Sequence, residues 1–170
     1  ALLISMRELG LNTGDAYQPE ERHKDRWPWI LPVRYMPDHP HRPPDVFDEA
    51  DMRAFHENVR RQCAEIADDP MVIGVAGKEL PPWGTRRTVL SFKIETSEAV
   101  TADLAFSELV AERFFPALRA AIKAGAPNHL VMGERNQLRD IPDGVLRIAG
   151  RHIDVFCTEA LIRSPQRPPE

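Results

Sequence analysis

The sequence predicts an α+β domain, a mainly antiparallel sheet with two amphipathic helices on one face, preceded by an extended Pro-rich N-terminal arm. Three observations predict it. Two long stretches repeat apolar residues at helical spacing, several short segments alternate or run apolar at strand length, and prolines crowd toward one end. With 170 residues, 42% of them hydrophobic and 28% charged, the chain fits a single ordinary core. The expected division is an arm over 1–46, an α+β domain over 47–164 and a tail over 165–170.

Seven of the sixteen prolines (Pro19, Pro28, Pro32, Pro37, Pro40, Pro43 and Pro44) precede residue 47. Each removes a backbone donor and drives its predecessor to extended geometry, so residues 17–46 read as a ribbon rather than a helix or a central strand. At about 3.1 Å per residue such a ribbon spans roughly 90 Å, enough to leave its own domain. Trp27, Trp29, Ile30, Leu31, Val33, Tyr35 and Met36 lie between the prolines. Apolar surface of that size is expected to dock on something.

The first helix is expected over 48–67, where Met52, Phe55, Val59, Cys63 and Ile66 recur at three- and four-residue steps. Asp48 is its expected N-cap with Asp51 in the capping-box position, Phe47 is placed to staple onto Met52, and Asp68-Asp69-Pro70 ends the run. Met71–Ala76 reads as a buried strand. Residues 88–95 alternate Leu90, Phe92 and Ile94 against Val89, Ser91, Lys93 and Glu95, as a half-buried strand does.

A second helix is expected over 102–124, capped by Thr101 and stopped by Gly125 and Pro127. Pro116 inside it predicts a kink or two abutting helices near Phe115. A hairpin is expected from Val145–Ala149 to His152–Cys157 through Gly150-Arg151, which sets Arg147 opposite Asp154. His129–Met132 reads as an added strand and Thr158–Arg163 as a closing turn of helix.

Charge and cysteine usage narrow the function classes. A net charge of −4 and a pI of 5.9 argue against general attraction to nucleic acid or anionic membrane. Cys63 and Cys157 match neither a disulfide framework nor a paired zinc spacing. The apolar opening Leu2-Leu3-Ile4 is broken by Arg7 and Glu8, so no membrane span is expected. A reducing cytoplasm, or the inside of an assembled particle, is the expected location.

The motifs that carry chemistry are weak. Gly74-Val-Ala-Gly77-Lys78 lacks the spacing of a phosphate loop and reads as a strand end and a turn. Asp38, His39, His41 and Asp45 are metal-ligand types, but interleaved prolines string them along a ribbon, so no metal or cofactor is expected. His152 and Asp154 share a strand face while Cys157 takes the other, which excludes a Cys-His dyad and leaves a histidine beside an Arg-Asp pair.

Arg86, Arg87 and Lys93, joined by Arg135 and Arg139, form a candidate anion-binding patch, diluted by Glu79, Glu95, Glu134 and Asp140. The most unusual feature is instead the aromatic arm. The leading expectation is therefore a non-enzymatic assembly or adaptor subunit, of a phage or secretion particle for example, that binds a protein partner or itself. Trp27, Trp29, Ile30, Tyr35 and Trp83 are its expected anchors. The alternative is a small hydrolase or transferase acting on an anionic substrate, with the 77–87 loop, His152 and Asp154 at its site.

Overall fold

Proline does not keep the N-terminal segment out of the sheet. In the computed structural model, which describes residues 27–38, 43–77, 97–134 and 141–156, Trp29–Val33 is a strand, β1. Its Pro32 is tolerated because β1 is an edge among the described strands, where a missing N–H breaks no ladder on the open side. The order continues with helix α1 (Glu49–Ala64), strand β2 (Val72–Gly77), helix α2 (Ser97–Gly125), strand β3 (Leu130–Glu134) and helix α3 (Asp143–Ala149).

The three strands form one sheet in the order β1-β2-β3, and both pairings are parallel. This corrects the expected antiparallel sheet. Each pair of described strands is joined through a helix, and a crossover of that kind returns the chain in the same direction. Trp29, placed by sequence in a free arm, donates its backbone N–H to Met71 O at 2.9 Å, and Leu31 and Val33 stand opposite Val75 and Gly77.

One face of the sheet makes the core. Leu31, Val33, Val75 and Val131 cluster there with Phe55, Val59 and Cys63 of α1 and with Phe114, Leu118 and Ile122 of α2. Tyr35 sits edge-on to both Phe55 and Phe114, with ring centroids 5.7 and 5.4 Å away. These edge-to-face contacts add about 0.5–1.5 kcal/mol per pair beyond burial. On the other face Met132 lies over Gly74, while Ile73 and Leu130 are 36% and 39% exposed.

α1 forms as its spacing predicts. Asp48 caps it, its Oδ1 accepting from the N–H groups of Ala50 (2.7 Å) and Asp51 (2.9 Å). The Asp51 carboxylate accepts from Asp45 N–H, at 3.0 Å, so the box closes three residues earlier than expected. Phe47 stacks on Phe106 of α2, with centroids 5.8 Å apart.

α2 is a single helix of 29 residues that contains Pro116. It replaces the two abutting helices that proline allowed, and it begins at Ser97, so Thr101 lies inside it. The expected hairpin is also corrected. Val145, Ile148 and Ala149 are buried at helical spacing in α3, and Gly150 donates its backbone N–H to Leu146 O (2.9 Å) at the helix end instead of opening a type II′ turn. Alternation of Leu146 and Ile148 suggested a strand; the i, i+3, i+4 set was the stronger signal. The expected strand 88–95 and the turn 158–163 lie outside the described residues.

Candidate functional site at the carboxyl edge of the sheet

In open and closed parallel sheets alike, ligands are bound at the carboxyl ends of the strands, where loops leave the sheet. Here that edge is formed by the ends of β1, β2 and β3, and each end has its own restraint.

β1 ends at Val33, and α1 holds the two residues that follow. Gln62 pairs with Arg34 at both polar groups, its Oε1 accepting from Arg34 N–H at 3.0 Å and its Nε2 donating to Arg34 O at 2.8 Å. Asn58, itself buried, donates from Nδ2 to Arg34 O (2.8 Å) and Tyr35 O (3.2 Å), and its Oδ1 accepts from Arg61 at 3.1 Å. Two side-chain amides one helical turn apart thus occupy backbone groups that the strand no longer pairs. Polar residues beside an apolar stripe gave no sequence signal for this clamp.

β2, the central strand, ends at Gly77. A Cβ there would collide with the Tyr35 hydroxyl and would meet its Cζ at 2.6 Å, so the tyrosine ring lies directly on this glycine. In sequence Lys78 and Glu79 follow. β3 ends at Glu134 after Gly133, which adopts φ +65°, in the left-handed region open to glycine. The register between β2 and β3 shifts over the same stretch, as at a bulge that re-aims a strand end.

Some of the sequence-expected anchors are described and others are not. Trp27, Trp29 and Tyr35 are each 3% exposed and belong to the chain's own interior, and Ile30 is half-buried in β1. Trp83, Arg86, Arg87 and Lys93 lie outside the described residues, as do His39, His41, Arg135, Arg139, Asp140 and Cys157. Among the described residues no three His, Cys, Asp or Glu side chains converge as metal ligands. Asp45 serves the backbone, its Oδ1 accepting from Phe47 N–H at 2.9 Å.

Asp154 is a structural carboxylate. Its Oδ2 accepts from Val131 N–H at 2.9 Å and its Oδ1 from Arg119 at 2.9 Å, while its own N–H donates to Val131 O at 2.7 Å. The hydrogen bond from Val131, followed by that from Arg119, holds its pKa below the ordinary carboxylate value. Arg119 takes the role expected of Arg147, and it also donates to His152 O at 2.8 Å. Arg151 pairs with Glu112 at 2.7 Å.

Two further groups are removed from the chemistry. Burial pushes the Cys63 thiol up to about 12, which leaves it protonated and unreactive at neutral pH. His129 is buried just before β3, at the opposite end of the sheet, with Nε2 3.3 Å from Asp69 O.

Known proteins resemble this chain in fold. No family model matches it, and no curated protein does. Among solved structures, the agarase AgWH50C superposes with a TM-score of 0.69 and 21% identity over 90% of this chain and 29% of its own. PfGH50B gives 0.70 and 16% over 92% of this chain and 32% of its own. An exo-beta-agarase gives 0.68 and 17% over 91% and 30%. The chain therefore spans about a third or less of the structures it resembles, and these likenesses establish a shared α/β fold.

Proposed function

We propose that this chain is a strand-helix unit of a polysaccharide-cleaving hydrolase of the agarase kind, working at the carboxyl edge of its parallel sheet. The observation that carries the reading is the close fold likeness to three solved structures, two of them agarases by name, over nine-tenths of this chain. The parallel βαβαβ order supports it independently, because that architecture gathers reactive side chains from several strand ends at one rim.

Cleavage of a glycosidic bond needs a carboxylic acid to protonate the leaving oxygen and a second carboxylate to attack or to activate water. In sequence, Glu79 comes two residues after the last residue of the central strand, and Glu134 is the last residue of β3. Glu79 is the proposed proton donor, since it follows the strand that is flanked on both sides. The assembly reading needs aromatic surface free of the chain's own core, and Trp27, Trp29 and Tyr35 are buried within it.

Release of reducing ends from agarose by the wild-type protein and by Glu79→Gln tests the proposal. The expected result is turnover by the wild type and a loss of about a hundredfold or more in the variant, the usual scale for removing a general acid. Turnover undiminished in Glu79→Gln, or no cleavage of agarose by the wild type, contradicts it.

A further inference from the structure

We infer that Arg34 is a specificity residue at the carboxyl edge, where its guanidinium binds an oxyanion substituent, a sulfate ester or a carboxylate, carried by the polysaccharide. The inference rests on the carboxyl-edge reading above and names the substrate feature that this edge would select. Arg34 follows directly on Val33, which ends β1 opposite Gly77 at the end of β2. Its backbone is therefore at the rim.

That backbone is fixed from α1. Gln62 engages both its N–H (3.0 Å) and its carbonyl (2.8 Å), and the buried Asn58 donates to the same carbonyl at 2.8 Å. On its far side Tyr35 is 3% exposed, with its ring edge-on to Phe55 and Phe114. All of these restraints act on main chain or on the neighbour, and they would serve any residue at position 34. They do not account for an arginine.

The Arg34 side chain itself is exposed and makes no hydrogen bond or ion pair among the described residues. Other arginines have structural duties: Arg53, Arg60, Arg119 and Arg151 pair with carboxylates, Arg61 donates to Asn58, and Arg113 lies over the Phe47 ring. A guanidinium is permanently charged and offers a planar fork of N–H donors that fits a sulfate or a carboxylate in two parallel bonds. Holding its backbone in place beforehand lowers the ordering cost of such binding. The chain carries a net charge of −4, so its overall field disfavours anions and a preference for one reports a local group.

The test measures, by titration calorimetry on the whole chain, the affinity for an agarose-derived tetrasaccharide in three forms: unsubstituted, bearing one sulfate ester, and bearing one carboxylate. Wild type should bind an anionic form about tenfold more tightly than the unsubstituted one, the scale of one charge-assisted pair, and the form preferred identifies the substituent. Arg34→Gln should bind all three alike and melt within a few degrees of wild type, because the clamp reads only the backbone. Arg34→Lys should keep part of the preference, having the charge without the fork. Arg147→Gln removes an exposed arginine of α3 and should keep all of it. Equal affinity of wild type for the three sugars, or a preference that survives in Arg34→Gln, overturns the role of Arg34 alone. Failure of wild type to bind any of them overturns the carboxyl-edge reading and the role of Arg34 with it.

Discussion

At the scale of residues, Asp154 shows how one carboxylate can complete a strand edge. Both its side chain and its backbone engage Val131, and Arg119 neutralises it. Because the folded-state pKa lies below the unfolded one, its contribution is present at neutral pH and is lost as pH falls through the folded value. Asp154→Ala leaves the buried Val131 N–H without that acceptor and should cost about 1–3 kcal/mol at pH 7. The difference from wild type should shrink in acid, below about pH 4. Urea unfolding at both pH values checks it, and a difference that grows in acid would contradict the assignment.

Asn58 is the second residue of this kind, and it was invisible to pattern reading. Hydrophobic periodicity marks which helix face is buried but says nothing of a polar side chain at the margin of that face. Asn58→Ala should destabilise by about 1–3 kcal/mol, since the Tyr35 carbonyl loses its amide donor. The Asp48 cap, by contrast, was legible from sequence. Its removal in Asp48→Ala should cost about 1 kcal/mol, measured by the same unfolding assay.

At the scale of elements, the helices were more legible than the strands. α1 was read within a few residues because its stripe and its cap agree, and agreement between levels is what makes a local assignment dependable. β1 was missed because Pro32 and its neighbours argued against a strand, although Trp29, Leu31 and Val33 alternate with Ile30 and Pro32 as a sheet strand does. The burial of that alternation overrode the local penalty. α3 was read as half of a hairpin because seven residues are too few to separate a period of two from a period of 3.6.

Pro116 marks the opposite conflict, a helix that continues through a residue unable to donate. Its ring prevents the backbone bond that residue 116 would give to Glu112, and helix-interior proline costs about 3 kcal/mol relative to alanine. Pro116→Ala should raise the melting temperature if the helix is otherwise regular there. A lowered melting temperature would show that the proline fits a local geometry which alanine does not reproduce.

At the scale of the whole molecule, the parallel sheet follows from an alternation that runs along the sequence: strand, helix, strand, helix, strand, helix. Treating residues 1–46 as an arm hid the first member of that series and turned the remainder into an antiparallel reading. With β1 in the sheet, Trp27 and Trp29 are buried in the chain's own interior, and the proposed function looks to the carboxyl edge. The candidate site was legible only in part, since Glu79 and Glu134 appeared in sequence as charges that dilute a basic patch. Strand direction, which a lone sequence states only through topology, brings the ends of β1, β2 and β3 to one edge.

The most direct test of this account locates a bound sugar on the sheet. An agarose-derived tetrasaccharide titrated into isotopically labelled protein should shift the backbone amides of Arg34, Gly77 and Glu134, at the ends of the three strands. Shifts confined to Trp29, Val72 and Leu130, where the strands begin, would place the sugar at the wrong end of the sheet and contradict the account.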